Sequence, residues 1–197
     1  MKRPTPTVTR TKRPGWVRTV ARLMGWVPAA KLEREAILRA ATHKTKLSDW
    51  GDEEFITGLD LLLEGVKDGG LDTLGRMAAF DTFSHAVCNR LHLEAAFATR
   101  PDLAEQSVAA PIVIVGLHRT GTTLLHNLLA LAPGLWAPPF WMLSSPVPLA
   151  RPDKRRQRTV RMLRASRLVM PELKAVHPLA ADDPEECWSL FMNTFCM

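Results

Sequence analysis

Within eight consecutive positions, Gly116-Leu117-His118-Arg119-Thr120-Gly121-Thr122-Thr123, the sequence places two glycines, one arginine and three hydroxyls. These residue types at this spacing suit the capture of a phosphate-like anion. Glycine permits backbone angles and close approaches that a Cβ forbids. Successive N–H groups can then converge on one anion, and a helix starting directly after the loop adds unpaired N–H groups and the positive end of its dipole. Arg119 supplies a rigid, permanently charged fork that binds two oxygens at once. The nucleoside-triphosphatase loop, G-x-x-x-x-G-K-[ST], has the same length but carries Lys where Thr122 stands here. That Lys is the point charge for the β- and γ-phosphates, so its absence argues against an ATPase or GTPase.

Such a loop works only between elements that hold it open. Before it, Pro111-Ile112-Val113-Ile114-Val115 is a short, unalternating, β-branched run, the pattern of a strand buried on both faces of a parallel sheet. After it, Leu124, Leu125, Leu128, Leu129 and Leu131 mark an apolar helix stopped by Pro133-Gly134. Further upstream the pattern is helical from Lys31 to about Lys46, breaks at Asp49-Trp50-Gly51-Asp52, and resumes with Asp52 as a cap. The resumed helix puts Phe55, Leu59, Leu62, Leu63 and Val66 on one face and stops at Gly69-Gly70. Another helix is predicted from about Leu71 to Phe97, ending near Arg100-Pro101. Trp16, Val17, Val20, Leu23, Met24 and Val27 recur at helical spacing opposite Arg18 and Arg22. That short basic helix has two readings, packing on the body of the protein or docking on a membrane or partner.

The expected organisation is a disordered basic tail over 1–14, a helical N-terminal region over 15–110, and from 111 to 197 the start of a P-loop-like domain. The expected fold class is α/β, a P-loop-type parallel sheet covered by helices and led by the helical N-terminal region. Only one strand is legible, so the domain is expected to be incomplete.

Composition narrows the setting. The chain has 197 residues, of which 46% are hydrophobic, enough to bury a core. Cys88, Cys187 and Cys196 show neither a zinc spacing nor a disulfide framework, which fits a reducing, cytoplasmic compartment. No apolar run reaches the roughly 20 residues that span a bilayer. The net charge of +6 attracts anions without choosing among them. One basic cluster is N-terminal (Lys2, Arg3, Arg10, Lys12, Arg13, Arg18, Arg22) and another runs from Arg151 to Arg167, with Arg158, Arg161 and Arg164 on one helical side. The second cluster lacks the interleaved aromatics of a single-strand binder, so no nucleic-acid partner is expected and a solvated face is the simpler reading.

Strand, Gly-x-x-Arg-Thr-Gly-Thr-Thr, then a Leu-rich helix resembles the sulfotransferase family, particularly its bacterial and tyrosylprotein-type branch. Asp49-Trp50-Gly51-Asp52, Trp141 with Pro146 and Pro148, and His177-Pro178 followed by Asp183-Pro184-Glu185-Glu186-Cys187 extend the resemblance over roughly 45–195. The resemblance implies 3′-phosphoadenosine 5′-phosphosulfate (PAPS) as sulfuryl donor, no metal, and a small-molecule or glycan acceptor presenting a hydroxyl or amine. It assigns donor binding to Gly116, His118, Arg119, Thr120, Gly121, Thr122 and Thr123, with Arg119 also stabilising charge on the bridging oxygen.

Two positions depart from the family pattern. His118 replaces the usual Pro of the loop, and Met142 follows Trp141 where relatives often carry the Glu that serves as base. His177, Glu185 and Glu186 remain as candidates for that role, with His177 and Glu186 grouped with Arg119 as the catalytic set. Asp183-Pro184-Glu185-Glu186 also reads simply as a helix start, with Asp as cap and Pro in the first turn. No match to the family's 3′-phosphate-binding segment can be placed, so the expected chain is a fragment, active or reduced to a non-catalytic phosphate-binding module. The sequence carries no signal of acceptor identity or oligomeric state.

Overall fold

The computed structural model describes residues 14–23, 31–107, 110–117, 120–171 and 179–195. Its described helices are α1 (Gly15–Leu23), α2 (Arg34–Thr45), α3 (Glu54–Asp68), α4 (Thr73–Thr99), α5 (Thr122–Ala130), α6 (Phe140–Ser144), α7 (Arg155–Val169) and α8 (Trp188–Phe191), with a 3-10 turn at Pro101–Leu103. Lys2, Arg3, Arg10, Lys12, Arg13, Met24 and Val27 lie outside the described residues.

The main core joins α2, α3 and α4. Ile37 and Ala41 from α2, Phe55, Leu59 and Leu63 from α3, and Phe83, Val87 and Leu91 from α4 form one buried cluster. The spacing of four along each set is why these stretches form amphipathic helices at all. Leu62 and Val66 pack partly buried against the same cluster, completing the α3 face read from the sequence. The start of α3 is held by the Asp52 carboxylate, which accepts from the Glu54 N–H at 3.1 Å. The start of α4 is held by Asp72, which accepts from the Gly75 N–H at 2.8 Å.

Phe195 closes this core from far along the chain, its ring 6.3 Å from Phe55 and 6.5 Å from Phe83. Its backbone lies so close to α3 that a Cβ on Gly58 would collide with the Phe195 carbonyl, which is why glycine stands at 58. A smaller cluster of Phe140, Leu163 and Ala181 ties α6 to α7.

The break between α2 and α3 is fastened by Arg90 of α4, 6% exposed. Its guanidinium donates to the Trp50 and Asp52 carbonyls, both at 2.7 Å. It also pairs with the Asp52 carboxylate at 3.2 Å and stacks 4.5 Å above the Phe55 ring. Gly51 sits at φ +66, and a Cβ there would lie 2.6 Å from the Glu94 carboxyl carbon.

The expected α/β class is corrected by the structure: the described residues are helical and contain no strand and no sheet. Residues 111–117 carry no regular secondary structure: a strand exists through ladder hydrogen bonds to a neighbour, and no described residue makes a backbone pair with this segment. In place of burial on both faces, Val113 is 73% and Val115 88% exposed. The one described β-bridge is isolated, antiparallel, and joins Pro139 to Pro184.

Candidate functional site

The loop ahead of α5 is tight. A Cβ on Gly116 would lie 2.8 Å from the Thr122 methyl and 3.0 Å from the Thr120 hydroxyl, so the backbone at 116 is pressed against the far side of its own turn. Thr120 fastens that turn by donating from its hydroxyl to the Leu117 carbonyl at 2.6 Å. Gly121 takes φ +91, a left-handed conformation costly for any residue with a Cβ, and leads directly into α5. Gly121 has no side chain with which to cap that helix, and among the described residues no side-chain bond to its first-turn N–H groups is found, which leaves them to a ligand. Thr122 and Thr123 occupy the first two positions of α5. His118 and Arg119 lie outside the described residues.

Glu186 reaches this loop. The Thr123 hydroxyl donates to Glu186 Oε1 at 2.8 Å. The position of Glu186 is set by the chain before it, which runs antiparallel to the approach into α6. The Phe140 N–H donates to the Asp183 carbonyl at 3.0 Å, the Trp141 N–H to the Ala181 carbonyl at 3.1 Å, and the Glu185 N–H to the Pro138 carbonyl at 3.3 Å. Arg156 of α7 holds the same segment through Asp182, at 2.6 Å from Nε to Oδ1.

Asp183 therefore does not cap a helix as its sequence context predicts. Residues 183–186 are committed to the Pro139 bridge, and the next helix, α8, begins only at Trp188. Glu185 and Glu186 part company: Glu185 is buried and its carboxylate accepts the Glu186 N–H at 3.0 Å, while Glu186 faces Thr123. His177 and Pro178 lie outside the described residues. Trp141 meets a cation, with the Arg155 guanidinium 4.9 Å from its ring centre.

Behind this assembly, α4 supplies an anchor that the sequence reading missed. His85 Nε2 donates to the Ser144 carbonyl at 2.8 Å, and the buried Asn89 donates to the same oxygen at 2.9 Å. Asn89 also donates to Asn193 Oδ1 at 3.2 Å. The last residue of α6 is thereby fixed to the helical core. The available signal was polar residues at spacing four, His85 and Asn89, interrupting the apolar face of α4.

The basic run from Arg151 divides by function in the fold. Arg155 is spent on the Ser145 and Pro146 carbonyls and on Asp153, Arg156 on Asp182, and Arg167 on the Leu179 carbonyl. Arg158, Arg161 and Arg164 are exposed. Among the described residues no group of three His, Cys, Asp or Glu side chains gathers as a metal ion would require, and no helix is long and apolar enough to cross a membrane.

Residues 111–196, the stretch that contains the loop, α5 and Glu186, match the model of the sulfotransferase family. The chain is also similar to two solved structures. One is the sulfotransferase STF1 from Mycobacterium tuberculosis, at 26% identity and TM-score 0.61, covering 83% of this chain and 47% of that one. The other is the sulfotransferase STF9 from Mycobacterium avium, at 24% identity and TM-score 0.70, covering 83% of this chain and 44% of that one. The chain thus spans less than half the length of either. No curated protein matches it.

Proposed function

We propose that the loop from Gly116 to Thr123 binds the 5′-phosphosulfate of PAPS and that the chain serves sulfuryl transfer to an acceptor hydroxyl or amine. The observation that carries this reading is the turn itself: a glycine pressed against the turn, a left-handed glycine, then a helix whose first N–H groups have no side-chain cap among the described residues. These features fit an anion at the head of α5. Arg119, Thr122 and Thr123 hold the phosphosulfate oxygens, together with the backbone of Gly116, His118, Thr120 and Gly121. As the sulfuryl group leaves the phosphate oxygen for the acceptor oxygen or nitrogen, Arg119 stabilises the charge left on the phosphate. The acceptor's proton passes to a base, Glu186 or His177. Glu186 has support from its position, since its bond to Thr123 puts a carboxylate beside a donor-binding residue. The remaining work is in-line positioning, as in phosphoryl transfer.

A second reading, a non-catalytic phosphate-binding module, rests on the same turn, which would hold an anion whether or not turnover follows. Calorimetric titration with 3′-phosphoadenosine 5′-phosphate without magnesium, beside Arg119→Ala and an ATP control, tests donor binding. The expected result is saturable binding, lowered about tenfold or more in the variant. Absence of binding by the folded chain would overturn the donor reading. Binding without turnover in an acceptor screen would favour the module.

A further inference from the structure

A cavity of about 450 Å³ lies between the end of α2, the middle of α4, and the α6–α7 connection. Its size falls within the range of small-molecule sites. Lys44 reaches it from α2, His85 and His92 from α4, and Arg155 and Arg158 from α7. No Asp or Glu lines it. Arg155 is neutralised by Asp153 at 2.8 Å. Lys44 and Arg158 form no ion pair among the described residues, although the Asp153 carboxylate feels the charge of Arg158, so the space is left with an excess of positive charge. The other wall is apolar, with Cys88, Val147, Leu149 and Met162, and the last two are large hydrophobics standing half exposed.

We propose that this cavity binds an organic anion with an apolar body, a carboxylate whose charge lies between Lys44 and Arg158 and whose tail lies along Leu149 and Met162. A bare inorganic anion would need donors all round it, and half of this wall offers none. A neutral apolar molecule would gain nothing from the two cations, which water already solvates. His92 is held below the ordinary histidine range by burial, then by Lys44 and His85. An anion facing the groups around it, Lys44 from α2, His85 and Cys88 from α4, and Arg155 and Arg158 from α7, opposes that shift. Binding therefore tightens as pH falls toward the histidine range. The site does not depend on the donor-loop reading.

Titration of the full chain with octanoate, 1-octanol and inorganic sulfate, at low ionic strength, tests the assignment. Octanoate is expected to bind saturably at one site, with octanol and sulfate each weaker by about tenfold or more. Lys44→Gln and Arg158→Gln are each expected to weaken octanoate by about fivefold or more. Both side chains are exposed, so neither change removes a core contact, and thermal melting verifies that the variants are folded. Arg164→Gln, on the same helix but outside the cavity lining, leaves octanoate affinity unchanged. Equal binding of octanol would overturn the proposal, as would octanoate binding unaffected by either cavity variant. Displacement of octanoate by 3′-phosphoadenosine 5′-phosphate would move it to the donor loop and overturn the proposal as well, whether or not that loop proves catalytic.

Discussion

The Thr123 hydroxyl and the Glu186 carboxylate meet at 2.8 Å across 63 positions of sequence. Their meeting depends on a chain of contacts: Asn89 and His85 fix Ser144 at the end of α6, the start of α6 pairs with 181–183, and the Pro139–Pro184 bridge delivers Glu186. The helical region and the loop are thus parts of one arrangement.

Glu186→Gln separates geometry from proton transfer, because the amide oxygen still accepts from Thr123 but the side chain no longer takes a proton. In a sulfuryl-transfer assay kcat is expected to fall about 100-fold or more, the low end of what a general base contributes. Affinity for 3′-phosphoadenosine 5′-phosphate is expected to hold. An unchanged kcat would pass the role to His177.

Arg90→Met keeps the bulk over Phe55 but removes every donor to the Trp50 and Asp52 carbonyls. Bonds from a buried cation are among the stronger ones, and a loss of about 3 kcal/mol is expected in urea unfolding. A loss within about 0.5 kcal/mol, the range of ordinary surface changes, would show that water takes over the freed carbonyls.

Gly58→Ala drives a methyl into the Phe195 carbonyl, and the obstacle is backbone that cannot rotate away. The expected cost is about 1–3 kcal/mol, as for overpacking a core. Near-ultraviolet circular dichroism should change as the Phe195 ring leaves Phe55 and Phe83.

His92 predicts a direction of pH dependence. Its folded-state pKa lies below the ordinary 6.5, through burial first and then the charges of Lys44 and His85. The unfolded chain therefore takes up the proton more readily. The His92 contribution is complete above the unfolded value and is lost as pH falls through that range toward the folded one. His92→Gln should flatten that part of the stability profile measured by urea unfolding.

Thiol reactivity should divide in the same region. Burial pushes the Cys88 thiol up, with Lys44 opposing, whereas Cys187 is exposed. Mass-spectrometric mapping after brief iodoacetamide treatment of the native protein should find Cys187 modified well before Cys88.

The helices were legible because their apolar residues recur at spacings of three and four, and the stops at Gly69-Gly70 and Pro133-Gly134 stand in the sequence. Sheet formation was misread. Ile112 to Val115 has the composition of a buried strand, but composition cannot supply the neighbour whose backbone must pair with it. The loop was legible from its own residues, since its glycines mark where the backbone turns back on itself. Glu186 was one candidate among three. Its contact with Thr123 rests on a bridge between two prolines that no local pattern announces. Arg90 was hidden by its setting among Ala86, Val87 and Leu91, although Glu94 four positions on hinted at a paired charge.

The seating of Phe195 between Phe55 and Phe83 also governs the order in which the chain can acquire its structure. The α2–α4 region is made first and is rich in local contacts, so its helices can form early. Its core nevertheless keeps an open side until residue 195 has been synthesised and has travelled back to α3. Until then Phe55 and Phe83 remain accessible to other chains. Through that interval the newly made helical region depends on chaperone protection, and Phe195 acts as its seal.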